Sequence, residues 1–272
     1  MNKVISLALI LFLLSSCASR GSVKNMSLAE REVEMGNAVH REILSSFSVF
    51  SEPKSNGYVT EITQLLGKVS GRPQLSYQCT VLYSDKIYAT VAPGGHVYVT
   101  TGMINFLENE SELAGVIAHE VGEVQYKNPK YSGAKKAMGV LETAAGLTSG
   151  FFGPIGMLAF AGVAALNHLT DEKGLETRVM MADRKALGYM VKSGYDPQGL
   201  VDVLNKILYA DDSTIPYLVD YYQSRPVNAL RMKRLHKAFG HLDLTDKSFE
   251  THRDNFLSMT DGVKQLYLSE KR

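Results

Sequence analysis

The chain has 272 residues, 45% of them hydrophobic and 21% charged, with a formal net charge of +1. That is enough apolar material for one large or two small domains with a real core, and it excludes a disordered, collagen-like or low-complexity chain. A balance so near neutral, with no run of Lys and Arg, offers nucleic acid no attractive field, and two cysteines, Cys17 and Cys79, cannot make a disulfide framework.

The first segment is an address. Lys3 precedes an uncharged, mostly apolar run from Val4 to Leu14, too short for the roughly 20 residues of a spanning helix and shaped like a secretory signal. It ends in Leu14-Ser15-Ser16-Cys17, which resembles the bacterial lipobox. Residues 1–16 are therefore expected to be a lipoprotein signal peptide, Cys17 the lipidated residue and residues 17–27 a tether. Ala18, not an aspartate, follows the cysteine, so the expected location is the bacterial cell envelope, lipid-anchored, in the outer membrane facing the periplasm. Cys79 is left as the thiol of the folded domain and reads as a buried small hydrophobe.

From Ser27 a helical repeat begins, carried by Leu28, Val33, Met35, Val39, Ile43 and Leu44, and a second covers about Gly57 to Val69 with Val59, Ile62, Leu65 and Leu66 on one stripe. Strand-like stretches follow at Gln78 to Tyr83, Ile87 to Val91 and, after the Pro93-Gly94-Gly95 turn, His96 to Thr100. Asn109-x-x-Glu112 has capping-box spacing and opens a helix with a core stripe of Leu113, Val116, Ile117, Val121 and Val124. Residues 143–170 contain no Asp, Glu, Lys or Arg. Leu147 to Leu166 is long enough to span a bilayer, but Gly150 and Gly153-Pro154 interrupt it. A transmembrane helix, a buried helical hairpin and a hairpin showing an apolar face to membrane or client all remain open, with the two hairpins favoured. The mixed-charge tail from Lys233 to Arg272 reads as one or two surface helices.

The chemistry sits in His119-Glu120-Val121-Gly122-Glu123. Residues four apart share a helix face, so His119 and Glu123 point the same way with Glu120 beside them. Zinc peptidases use H-E-x-x-H on such a helix: two imidazoles hold the metal and the intervening glutamate takes a proton from its water. Here the fifth position is Glu, and His with two Glu on a helix is ordinarily an exposed polar face. His40, His168, His236, His241 and His252 show no ligand spacing. No G-x-S-x-G is present, and Cys79 has no local catalytic signature.

More of the chain agrees with the motif. Pro93-Gly94-Gly95-His96-Val97-Tyr98-Val99-Thr100-Thr101-Gly102, followed by Glu112-Leu113-Ala114-Gly115-Val116-Ile117-Ala118-His119-Glu120-Val121-Gly122, resembles the bacterial family that groups the HtpX and CAAX-prenyl-protease type gluzincins, and within it the soluble envelope members of the BepA type. Ala182-Asp183, Gly194-Tyr195-Asp196-Pro197, and Pro226 followed by Arg231 match later signatures. The resemblance runs from about Leu28 to Leu235. It implies an α+β fold, mainly α-helical, with a small sheet whose edge strand (here His96, Val97, Tyr98 and Val99, to Thr100) lines the substrate cleft. It divides the chain into a metallopeptidase-like domain over 28–240, with 143–170 as an apolar helical insert, and a C-terminal helical tail over 241–272.

The resemblance also implies zinc, and there the match falters. His119 occupies the first ligand position and Glu120 that of the catalytic base. The second ligand, a histidine in the family, is Glu123, a doubtful ligand. The third, a glutamate, is Val179, which has no donor atom. A further histidine is Arg225, and an asparagine before the Pro-Gly-Gly turn is Tyr88. Asp183 matches an aspartate that orients the first histidine from behind. Glu176, one turn before Val179, is a candidate substitute ligand. Glu123 and Arg225 are a candidate ion pair in the space that zinc would take. Two functions follow: a lipid-anchored member that has lost zinc and binds polypeptide clients or assembly proteins through strand addition, or an active endopeptidase with altered ligation. An unrelated structural or membrane-inserted role is the residual reading.

Overall fold

The computed structural model describes residues 27–125, 172–210, 227–245 and 247–269. Helix α1 spans Leu28–Ser46. Its start is a capping box, in which the Ser27 hydroxyl accepts from the Glu30 amide and the Glu30 carboxylate accepts from the Ser27 amide at 2.7 Å. Among the described side chains, the buried positions of α1 are Glu32, Gly36 and Ile43, and Val33 and Leu44 are exposed. Glu32 faces inward because Arg72 meets both of its carboxylate oxygens.

Helix α2, Pro53–Lys68, begins a turn earlier than its periodicity suggests. Glu52 caps it, and Pro53 sits where no amide is needed. Its buried stripe is Tyr58, Val59, Ile62 and Leu66; Leu65 is exposed.

Three strands form one sheet: β1 (Gln78–Leu82), β2 (Ala89–Ala92) and β3 (His96–Thr100). Gly94 and Gly95, with φ of 79° and 98°, allow the sharp turn from β2 into β3. The strand order is β1-β3-β2, with β3 parallel to β1 and antiparallel to β2. This corrects the expectation of an edge strand at His96 to Thr100: that strand is central, hydrogen-bonded on both sides. The side chains of β3 alternate between faces. Val97 and Val99 enter the main core with Val81, Val91, Ile62 and Met103, whereas Tyr98 joins Leu82 and Ala92 beneath Ile43 of α1.

A short helix, α3 (Thr101–Phe106), follows β3 without a sequence signal having announced it; the Thr100 hydroxyl accepts from the Met103 amide at 3.1 Å. The remaining helices are α4 (Glu110–Val124), α5 (Glu172–Lys192), α6 (Gln198–Leu208), α7 (Ala229–Phe239), α8 (Arg253–Met259) and α9 (Asp261–Ser269). The tail forms two helices, yet it is more than a surface appendage. Phe256 and Val263 are fully buried in the main core, and Lys264 donates to the carbonyls of Ile104, Asn105 and Leu107 at 3.1, 2.8 and 2.9 Å. Among the described residues no helix is long and apolar enough to cross a membrane. Residues 1–16, expected to be a signal peptide, Cys17 and the apolar stretch 143–170 lie outside the described residues.

Candidate functional site

Helix α4 is buried along its whole length. The Asn109 side chain accepts from the Glu112 amide at 2.9 Å, while the Glu112 carboxylate reaches one residue further back than in a capping box, to the Glu108 amide at 2.8 Å, and binds Lys206 at 2.7 Å. Two glycines let neighbouring helices approach closely. A Cβ on Gly115 would come within 2.8 Å of the Leu200 backbone, and one on Gly122 within 2.9 Å of the Ala182 carbonyl oxygen. The second contact brings α5 against the motif itself, with Asp183 next in line.

His119 is 2% exposed. Its Nδ1 hydrogen-bonds Asp183 Oδ1 at 2.7 Å, and its Nε2 lies 3.6 Å from Glu123 Oε1 on the next turn of α4. Glu120 and Glu123 are buried beside it. Asp183 in turn accepts from Arg231: Nε donates to Oδ2 at 2.8 Å and Nη2 to Oδ1 at 2.9 Å. A chain of alternating charge types thus runs Glu123, His119, Asp183, Arg231 through the junction of α4, α5 and α7. Burial disfavours a charge on His119, but the carboxylates of Asp183 and Glu123 outweigh it and hold the imidazole above its ordinary value. Burial likewise opposes the Asp183 anion, and the Arg231 guanidinium with His119 holds that carboxyl far below the usual range.

The structure thus brings together His119, Glu120, Glu123 and Asp183. Val179 is 2% exposed on α5, one turn before Asp183, and contributes no donor. Arg225 and the side chain of Glu176 lie outside the described residues. His96, Val97, Tyr98 and Val99 are not a cleft edge: Val97 and Val99 are core residues, His96 bonds Asn37, and Tyr98 bonds His40. Tyr88 is buried beside β2. Arg231 is the residue whose role sequence reasoning missed. It was visible as a signature after Pro226, but nothing in the spacing from Asp183 says that the two meet.

A catalytic zinc takes three protein ligands and keeps a fourth position for water. His119 Nε2 and Glu123 Oε1 are close enough to share an ion. Among the described residues no group of three His, Cys, Asp or Glu side chains is arranged to hold one. The described donors alone fall short of that set.

The sequence profile described as peptidase family M48 matches residues 53–238. The chain is similar to the beta-barrel assembly-enhancing protease of Escherichia coli (strain K12), with 26% identity over 188 residues, 65% of this chain and 38% of that protein. It is 24% identical over 195 residues to the putative beta-barrel assembly-enhancing protease of Vibrio cholerae, 69% of this chain and 40% of that one. A shorter match, 29% over 92 residues, joins 33% of the chain to 27% of the mitochondrial metalloendopeptidase OMA1 of Schizosaccharomyces pombe. The match to the two assembly-enhancing proteases spans about two fifths of their length.

Proposed function

The chain belongs to peptidase family M48, and we propose that it is an outer-envelope lipoprotein of that family that binds polypeptide clients in envelope protein quality control or assembly, with proteolysis lost or impaired. The lipobox-like stretch ending at Cys17 supports the anchor, and the names of the assembly-enhancing relatives support the setting. The observation that carries the loss of proteolysis is Val179. It fills the third-ligand position with a buried apolar side chain, one turn from an Asp183 still engaged with His119. Two donors leave a zinc ion short of the three protein ligands that catalytic sites use.

The experiment is metal analysis of the purified protein together with casein cleavage, comparing the natural chain with Glu120→Gln. The expected result is zinc well below one per chain and no cleavage above the Glu120→Gln background. The 3.6 Å separation of His119 Nε2 and Glu123 Oε1 favours one second reading, an active metalloendopeptidase with altered ligation through His119, Glu123 and Glu176 and with Glu120 as base. Stoichiometric zinc with cleavage abolished by Glu120→Gln would establish that reading instead.

A further inference from the structure

Helix α1 covers the face of the sheet turned away from α4 on a small apolar seam of Ile43, Leu82, Ala92 and Tyr98, flanked by Val39 and Phe47. Beside that seam His40 of α1 and His96 of β3 stack face to face, with ring centroids 4.6 Å apart and planes inclined by 15°. Each ring has one neutral partner. His40 Nδ1 shares a hydrogen bond of 2.8 Å with the Tyr98 hydroxyl, and His96 Nε2 donates to Asn37 Oδ1 at 3.1 Å.

Among the described residues, the surrounding groups would not neutralise a charge here. On α1 the neighbouring ion is Arg41, a cation whose own partner is Glu34 at 3.7 Å. Glu32, further along the helix, is committed to Arg72. From the sheet, the residues in register with His96 are Gln78 and Ala92, and those with Tyr98 are Thr80 and Thr90. Cys79, on the neighbouring strand β1, is a buried thiol that burial pushes up to about 12. No carboxylate pairs with either ring among the described residues.

We propose that α1 is an acid-released latch: protonating His40 and His96 sets two like charges face to face at the seam between α1 and β3 and lifts the C-terminal half of the helix from the sheet. Glu32 with Arg72, and Gly36 against the Pro93 carbonyl, hold the other half. Burial and then His40 keep His96 down at about 4 in the docked state, and burial and then Arg41 hold His40 below its ordinary value. The docked state therefore binds fewer protons than the released one. Docking is intact above about pH 6.5 and weakens as pH falls towards 4. For His96 alone the docking constant falls by about 20-fold between pH 7 and pH 5 as an upper figure, and partial exposure of the ring to solvent reduces this to several-fold.

Hydrogen exchange of the purified full chain tests the latch. Protection of peptides within Leu28–Ser46 is compared at pH 7 and pH 5 after correction for intrinsic exchange rates, with Glu110–Val124 as internal reference. The expected result is a several-fold to 20-fold loss of protection in α1 at pH 5 with α4 unchanged, and a flat response in a His40→Gln/His96→Gln double variant. Parallel changes in both helices, no change in α1, or an unaltered pH response in the double variant would overturn it. Should the double variant not fold, imidazole carbon shifts of the natural chain decide. Midpoints well below 6.5 for both rings, moving together with α1 signals, support the latch; midpoints near 6.5 with α1 undisturbed refute it.

Discussion

Replacing Arg231 with methionine breaks the buried ion pair that joins α5 to α7. Arg231 is 1% exposed, and its Nε and Nη2 bind both oxygens of Asp183 at 2.8 and 2.9 Å. Methionine fills much of the volume of the arginine stem, so the cavity contribution is small. The charge contribution is not. Asp183 is left as a buried carboxylate with His119 Nδ1 at 2.7 Å. Removing one partner of a buried pair costs about 3–5 kcal/mol; His119, held above its ordinary value by Asp183 and Glu123, offsets some of this, which places the expected loss near 3 kcal/mol. A domain has only about 5–15 kcal/mol in total, and a loss of that size lowers the melting temperature by roughly 6–12 °C. Urea unfolding followed by far-UV circular dichroism measures it as a lowered midpoint at constant slope. Lys233→Met, two residues along on the exposed side of the same helix, serves as the control and should change stability by no more than about 0.5 kcal/mol. Adding Asp183→Asn to Arg231→Met removes the orphaned charge and should recover part of the loss, with a coupling of about 1 kcal/mol or more in the cycle. If Arg231→Met lies within about 1 kcal/mol of Lys233→Met, the pair does not tie the two helices and the reasoning fails.

Two further perturbations test the packing around the motif. Gly122→Val places side-chain carbon where even a Cβ would come within 2.9 Å of the Ala182 carbonyl oxygen, so α5 must shift; a loss of about 1–3 kcal/mol in the same urea assay is expected, and an unchanged midpoint would show that the helices are not in contact there. Cys79 is buried with its thiol pushed up to about 12. In a Cys17→Ser chain at pH 8, where the thiolate fraction is about one in ten thousand, labelling by a disulfide reagent should be complete only in denaturant, and rapid stoichiometric labelling of the folded protein would contradict that burial.

The legible parts of the fold were those written in local pattern. The stripe from Leu113 to Val124 marked the helix that carries His119, and Pro93-Gly94-Gly95 marked a turn between two strand-like stretches, because the positive φ at Gly94 and Gly95 is local chemistry. Strand order was not local. The alternation in Val97, Tyr98 and Val99 says that two faces exist, but not that β1 pairs in parallel on the far side of β3, a contact across the chain's own crossover. The phase of α1 was misread for a related reason. Val33 and Leu44 looked like core, while Glu32 turns inward because its partner Arg72 lies on a different element.

The same distinction bears on how the site is understood. Asp183 and Arg231 match family signatures and are bonded to one another in the core, so losing either exposes the fold to the cost of an uncompensated buried charge. That penalty falls on the chain whether or not a metal is ever bound. No comparable penalty guards position 179, where the family resemblance implies the third ligand: a valine there, 2% exposed, satisfies packing and leaves no unpaired polar atom of its own. The presence of Asp183 and Arg231 is therefore accounted for by stability alone, and the proposed loss of proteolysis turns on His119, Glu120, Glu123 and Val179. On the proposed reading, the folding requirements of this scaffold are met independently of its chemical ones, and gaining activity would require changes at Glu123 and Val179 and none at Asp183 or Arg231.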